Sequence, residues 1–183
     1  SSYECLNFDL IRECKTTNLP LFISTGMCTR TEIYSVASMM RSISEEDTLF
    51  HCVSSYPAKP EDARIDILKS IIQSFGEKPI GYSDHTCAPG AILAAINAGA
   101  KIIEMHYDLG DIQGAESKYG HCWPMKWAED IIKIARQMTE LNSPISWIDN
   151  FSSRPDRKDI GLRMDNSDGM RPQLSERKEK ENG

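Results

Sequence analysis

Four stretches of nearly continuous apolar residues alternate along the chain with stretches in which apolar residues recur at helical spacing. The apolar stretches are residues 20–25 (PLFIST), 48–56 (TLFHCVSSY), 79–85 (PIGYSDH) and 100–107 (AKIIEMHY). Such runs are typical of strands that are covered on both faces. The helical patterns occupy residues 31–43, 61–75, 89–98 and 124–141. Strand and helix therefore alternate throughout.

This alternation predicts βαβ units and a parallel sheet, either doubly wound or part of a (β/α) barrel. No G-x-G-x-x-G or phosphate-loop pattern follows any of the strands, which favours the barrel over a nucleotide-binding sheet. The chain supplies four complete strand-helix units, and "SSYE" at its start resembles the tip of an earlier strand. A TIM-type barrel takes about 250 residues. The prediction is therefore an α/β fold, a partial TIM-type barrel of four to five strand-helix units.

Composition adds limits to this picture. The 183 residues predict one barrel domain over residues 1–150 and a charged carboxyl-terminal tail over residues 151–183, where apolar periodicity is lost. No apolar run is long enough to span a bilayer. The net charge of −6 argues against nucleic acid or an anionic membrane as the main partner. The six cysteines form no C-x-x-C pair and no secretory signal is present, which favours reduced thiols and a cytoplasmic protein.

Polar residues end three consecutive predicted strands. Side chains at i and i+2 share a face of a strand. The pairs selected by this rule are Ser54 with Tyr56, Ser83 with His85, and Glu104 with His106. In parallel α/β folds the carboxyl ends of the strands form the functional site. The pattern therefore predicts one shared site, with His85 and His106 as its central pair.

Other polar residues have a simpler explanation. His51 lies within an apolar run and His121 in a loop before a helix, which favours structural or rim roles for both. Asp84 is predicted to point away from His85 and to stabilise a turn. The serines and threonines of "FISTGM" are equally consistent with capping the next helix.

Four motifs together, "FISTGM", "HCVSSYPAKPEDA", "IGYSDHT" and "IIEMHY", resemble the N-acetylneuraminate (sialic acid) synthase family. The resemblance covers about residues 1–141 and places the chain in the carboxyl-terminal half of that family's catalytic (β/α)8 barrel. Enzymes of this family condense phosphoenolpyruvate with N-acetylmannosamine or a related amino-sugar aldehyde, release phosphate and use a divalent metal.

The resemblance implies roles for individual residues. His85 and His106 would be the ligands of manganese or magnesium, which acts as a Lewis acid on the sugar aldehyde. Glu104 would orient or deprotonate the attacking water. Tyr56 would be a substrate-side aromatic residue, and Glu116 would replace an acidic residue that contacts the sugar.

The same resemblance implies that phosphoenolpyruvate is held by serine hydroxyls. The matching positions are Ser2, Ser24, Ser54 and Ser83. Ser54 stands where well-known members have asparagine. The lysines that bind this anion in the family belong to a part of the barrel that has no counterpart here.

Two alternatives stay open. The chain is also consistent with a non-catalytic barrel fragment that associates with a complementary half or a homologue, because an open half-barrel exposes strand edges. Another metal-dependent barrel aldolase or lyase would keep the histidines without the phosphate-binding serines. A homo-oligomer, such as a dimer, is expected. The acceptor sugar, the metal and the activity of this chain alone are left open.

Overall fold

Four parallel strands form the sheet that organises the molecule. The computed structural model describes residues 1–41, 46–75, 78–109 and 115–141, excluding the side chains at positions 41, 115 and 116. The strands of the sheet are β1 (Phe22–Ser24), β2 (Thr48–His51), β3 (Ile80–Asp84) and β4 (Ile102–Met105), in the spatial order β1-β2-β3-β4. All three pairings are parallel. The predicted α/β class with a parallel sheet is confirmed.

Helices connect the strands and follow the sheet. They are α1 (Phe8–Lys15), α2 (Arg30–Arg41), α3 (Ile65–Phe75), α4 (Pro89–Ala98), the short α5 (Ala115–Lys118) and α6 (Met125–Leu141). Beyond β4, a short strand β5 (Tyr107–Asp108) pairs in parallel with β6 (Trp123–Pro124). The backbone N–H of Trp123 donates to the His106 carbonyl at 2.7 Å. β6 therefore runs beside the carboxyl end of β4.

The two faces of the sheet have different surroundings, as strand alternation requires. Ile23, Leu49, Ile80 and Tyr82 share one face and belong to the main apolar core. Helical side chains complete this core, among them Val36 of α2, Leu68 and Ile71 of α3, and Ala95 of α4. The opposite face carries Ser24, Phe50 and Gly81, which are register partners on β1, β2 and β3. A methyl group on Gly81 would overlap the Phe50 ring, so glycine makes room for phenylalanine there.

Two predictions about the elements are wrong. "SSYE" is not a strand tip, because Ser2–Glu4 forms a 3-10 turn. The pattern at residues 61–75 is not one helix: a 3-10 turn over Pro60–Ala63 ends at Arg64, whose φ of 49° is left-handed, and α3 begins only at Ile65. A left-handed residue interrupts the helical hydrogen-bond ladder, and apolar spacing does not reveal it.

The start of α2 settles the open question of capping. Thr29 and Glu32 form a capping box, in which the Glu32 carboxylate accepts from Thr29 N at 2.7 Å and Thr29 Oγ1 accepts from Glu32 N at 3.4 Å. Thr25 Oγ1 instead donates to the Phe50 carbonyl at 2.9 Å. The residues of "FISTGM" therefore do not cap this helix.

Residues Ser1–Leu141 form one compact unit. No helix among the described residues is long and apolar enough to cross a membrane. The predicted boundary at residue 150 and the predicted tail at 151–183 lie outside the described residues.

Candidate active site

Four of the predicted site residues, Ser83, His85, Glu104 and His106, lie at the carboxyl ends of β3 and β4. Ser83 and Glu104 are register partners on β3 and β4. His85 follows β3 directly and His106 follows β4 directly. The spacing of two residues thus places both histidines after neighbouring strand ends, as the sequence pattern predicts.

His85 is fixed by the loop that follows β2. Its Nδ1 lies 2.7 Å from the Val53 carbonyl oxygen, to which it donates. The backbone N–H of Ala58 donates to the His85 carbonyl at 2.8 Å. Because Nδ1 carries the proton in the neutral ring, Nε2 keeps a free lone pair. The buried His85 side chain is therefore held in the tautomer that suits a metal ligand.

Ser83 connects His85 to the carboxylate of Glu104. The Ser83 hydroxyl donates to Glu104 Oε1 at 2.7 Å and lies 3.4 Å from His85 Nε2. Ser83 is buried, whereas Glu104 is exposed. The carboxylate consequently combines one fixed hydrogen bond with access to solvent, which suits a group that orients water.

Four aromatic rings meet above this network. The His85 and His106 ring centroids are 5.2 Å apart. The Tyr56 ring lies 4.3 Å from the His85 ring at a tilt of 40° and meets His106 edge-on at 6.2 Å. The His121 ring lies 5.2 Å from His106 and 5.1 Å from Tyr56. Partial burial raises the pKa of Tyr56, so its hydroxyl stays protonated at neutral pH.

The donor set fits a divalent metal of the kind implied by the resemblance. Neutral imidazole nitrogens are good ligands for first-row ions, and His85 presents Nε2 on the side of Ser83 and Glu104. Within the described residues, no group of three or more His, Cys, Asp or Glu side chains is arranged to hold one ion. Two imidazoles from this chain would thus need oxygen ligands from water or substrate.

The predicted phosphate-binding serines are distributed over two places. Ser83 belongs to the histidine network, while Ser2 and Ser54 meet at Gly26. There the Gly26 N–H donates to Ser2 Oγ at 3.0 Å, and a methyl group on Gly26 would overlap Ser54 Oγ. Ser54 Oγ is buried and close enough to Tyr56 to lower the pKa of that tyrosine, against the larger effect of burial. Ser24 lies at the end of β1, on the same sheet face as Ser83.

Convergence of these hydroxyls on one anion stays a prediction. Glu116 falls in α5, and its side chain lies outside the described residues. Among the described residues, no ion pair involves His85, His106 or Glu104.

Asp84 stabilises the loop behind the site, as the sequence predicts. Its Oδ1 accepts from the Tyr82 hydroxyl at 3.2 Å and from Thr86 Oγ1 at 2.7 Å. Its Oδ2 accepts from Cys87 N at 3.0 Å and from the Trp123 indole at 2.9 Å. His51 is structural as well, with Nε2 3.0 Å from the Ala63 carbonyl.

His121 lies against the predicted site, a contact that the sequence pattern does not indicate. The predicted structural or rim role stays a prediction, and the buried His121 ring lies against two predicted site residues. Its position comes from Trp123, two residues later, which bonds to the backbone of His106. The one sequence clue is the proximity of His121 to Trp123 in "HCWP", a short apolar segment before α6.

Comparison with known proteins identifies relatives. The family model described as "NeuB family" matches residues 1–140. N-acetylneuraminate-9-phosphate synthase of Drosophila melanogaster is 39% identical over 58% of this chain and 29% of its own length. Pseudaminic acid synthase of Helicobacter pylori is 37% identical over 60% of this chain and 32% of its own length. The chain therefore spans about a third of these relatives.

Solved structures agree with this result. The N-acetylneuraminic acid synthetase of Leptospira borgpetersenii, solved in complex with citrate, has a TM-score of 0.70 at 25% identity, covering 99% of this chain and 55% of that one. The spore coat polysaccharide biosynthesis protein of Bacillus subtilis has a TM-score of 0.69 at 25% identity, covering 80% of this chain and 42% of that one.

Proposed function

The chain belongs to the NeuB family, and from this membership we propose that it provides the metal-binding part of a nonulosonate synthase. The reaction would join the methylene carbon of phosphoenolpyruvate to the aldehyde carbon of an N-acyl amino sugar. Water would add to the former enol carbon, and phosphate would leave. The synthase names of the Drosophila and Helicobacter relatives support this class of product.

The observation that carries the proposal is the pairing of His85 with His106. Their rings are 5.2 Å apart, and the Val53 carbonyl fixes the His85 proton on Nδ1. A hydrogen bond from the outer ring nitrogen to a carbonyl is the usual way in which a metal-ligating histidine is oriented. A divalent ion bound here, manganese or magnesium, would supply Lewis-acid polarisation of the sugar aldehyde.

The residues of this chain would handle the proton and the substrates. Glu104, held by Ser83, would orient the water that adds and accept its proton. Tyr56, in ring contact with His85 and 42% exposed, would form the wall of the acceptor-sugar site. Glu116 would contact the sugar.

Serine hydroxyls would hold the phosphoenolpyruvate anion. Ser54 would supply one of these hydroxyls from a buried position beside Tyr56. Ser2, Ser24 and Ser83 would supply the others. Hydroxyl dipoles alone do not balance the charge of this anion, so lysine or arginine side chains would have to come from outside these residues.

This requirement favours a second proposal about assembly. The chain spans about a third of the curated relatives, and the side chain of Phe22 on edge strand β1 is 53% exposed. We expect the sheet to be completed as a barrel by a complementary segment or a homologous subunit, because open strand edges and apolar surface favour association.

Phosphate release tests the proposed function. The chain would be assayed with phosphoenolpyruvate, N-acetylmannosamine and manganese, with and without a protein that contains the parts of a relative not covered by the match. We expect turnover only in the complemented sample, and its loss on His85→Ala or His106→Ala. His51→Ala is the matched control, because His51 is a buried histidine outside the ring cluster. Equal formation of the condensed sugar acid, measured by mass spectrometry, when pyruvate replaces phosphoenolpyruvate would instead indicate an aldolase.

A further inference from the structure

The segment His121–Trp123 connects the two loops that carry the predicted metal histidines. Trp123 is completely buried. Its backbone N–H donates to the carbonyl of His106 at 2.7 Å. Its indole N–H donates to Asp84 Oδ2 at 2.9 Å, and Asp84 directly precedes His85 in the chain. One tryptophan therefore links the backbone of one histidine to the neighbour of the other.

His121 is held by this anchor against the rings of the site. The His121 ring contacts the His106 ring at a centroid distance of 5.2 Å and an interplanar angle of 77°. It contacts the Tyr56 ring at 5.1 Å and 73°. Tyr56 and His106 in turn meet at 88°. Three rings that pack mutually edge to face leave little freedom for any one of them to rotate, since edge-to-face packing is the favoured geometry.

Burial distinguishes the members of this trio. His121 is 4% exposed, whereas Tyr56 is 42% exposed and His106 is partly exposed. His121 consequently lies behind the two rings that face the open side of the site. A residue in that position acts on ligands through the rings in front of it.

We propose that His121 is a positioning residue: it sets the ring orientations of His106 and Tyr56, and the Trp123 anchor fixes His121 relative to both histidine loops. The effect on catalysis rests on the proposed function. The effect on ring orientation rests only on the ring contacts. The aromatic shape of His121 carries the role, so an aromatic replacement preserves it.

Manganese binding provides the first test. The free aqueous Mn²⁺ signal in electron paramagnetic resonance would be titrated with the complete chain and its variants. His121→Ala is expected to raise the Kd for Mn²⁺ about 10–100-fold, the range for loss of groups that orient a ligand. His121→Phe should restore it to within about threefold of the original. His51→Ala, which also removes a buried imidazole, should leave it unchanged.

Ring resonances of metal-free protein provide the second test, which does not depend on the proposed function. In nuclear Overhauser spectra of the ¹³C-labelled chain, His121→Ala should change the contacts between the His106 and Tyr56 ring protons, and His121→Phe and His51→Ala should change them much less. If the chain binds no Mn²⁺ but these contacts change, the metal assignment fails and the positioning role holds. Unchanged contacts between these rings in His121→Ala, or a Kd for His121→Phe as weak as that for His121→Ala, would overturn the proposal.

Discussion

Replacing Asp84 by alanine should destabilise the folded chain strongly, because this carboxylate satisfies several buried donors at once. Asp84, Tyr82 and Trp123 are all at most 1% exposed. Truncation would leave the Tyr82 hydroxyl and the Trp123 indole N–H without their present acceptor, and Thr86 and Cys87 would lose their bonds as well.

The magnitude follows from the number of donors. An unsatisfied buried polar group costs about 1–3 kcal/mol, so the tyrosine and tryptophan donors together predict a loss of about 2–6 kcal/mol for Asp84→Ala. Asparagine should be milder. Its oxygen can accept from Cys87 N and Trp123, and its NH₂ can donate to the hydroxyls of Tyr82 and Thr86, which rotate to accept. The long bond of 3.3 Å from Thr86 N to Oδ1 is lost. Loss of the charge then costs about 1–3 kcal/mol.

Urea denaturation followed by far-UV circular dichroism measures both variants. A double-mutant cycle with Trp123→Phe isolates the indole bond: the cost of Asp84→Ala should fall by about 1–3 kcal/mol when the indole donor is already absent. Additive costs, or an alanine variant no less stable than the asparagine variant, would refute this account of the Asp84 network.

Three further predictions concern other parts of the fold. Gly26→Ala should destabilise by about 1–3 kcal/mol through overpacking and weaken phosphoenolpyruvate binding, whereas Gly90→Ala, with open space at the new methyl group within α4, should stabilise the fold by about 0.4–1 kcal/mol in calorimetry. Burial lowers the pKa of His51 from 6.5. The stability that neutral His51 contributes is therefore complete above that value and is lost as the pH falls through the lower folded pKa. In urea titrations between about pH 7 and 5, His51→Phe should lose less stability than the original chain. Lys15→Met should cost about 3–5 kcal/mol in the same titrations, because it leaves buried Asp47 without the cation 2.7 Å away, and adding Asp47→Asn should recover part of that loss.

Local periodicity is sufficient to predict the centre of the site. Side chains two apart on a strand share a face regardless of what surrounds the strand, so the sequence alone pairs Ser83 with His85 and Glu104 with His106. Parallel pairing of β3 with β4 then brings the two pairs together. The same reasoning identifies Asp84 as a residue of the turn.

Local periodicity is not sufficient where a backbone torsion or a loop path decides the outcome. The left-handed conformation at Arg64 delays α3 without changing the apolar spacing of its sequence. Ser2 reaches Gly26 through a 3-10 turn that the pattern does not indicate.

His121 shows most clearly what only the tertiary structure decided. Nothing in the residues around it specifies that β6 pairs beside His106, because that pairing depends on how the chain returns after α5. Only when Trp123 bonds to the His106 carbonyl and to Asp84 does the His121 ring come into contact with Tyr56 and His106. The sequence determined which side chains share a strand face, since that follows from backbone geometry two residues apart. The fold decided which distant side chain supports them, since that contact requires the whole sheet to assemble.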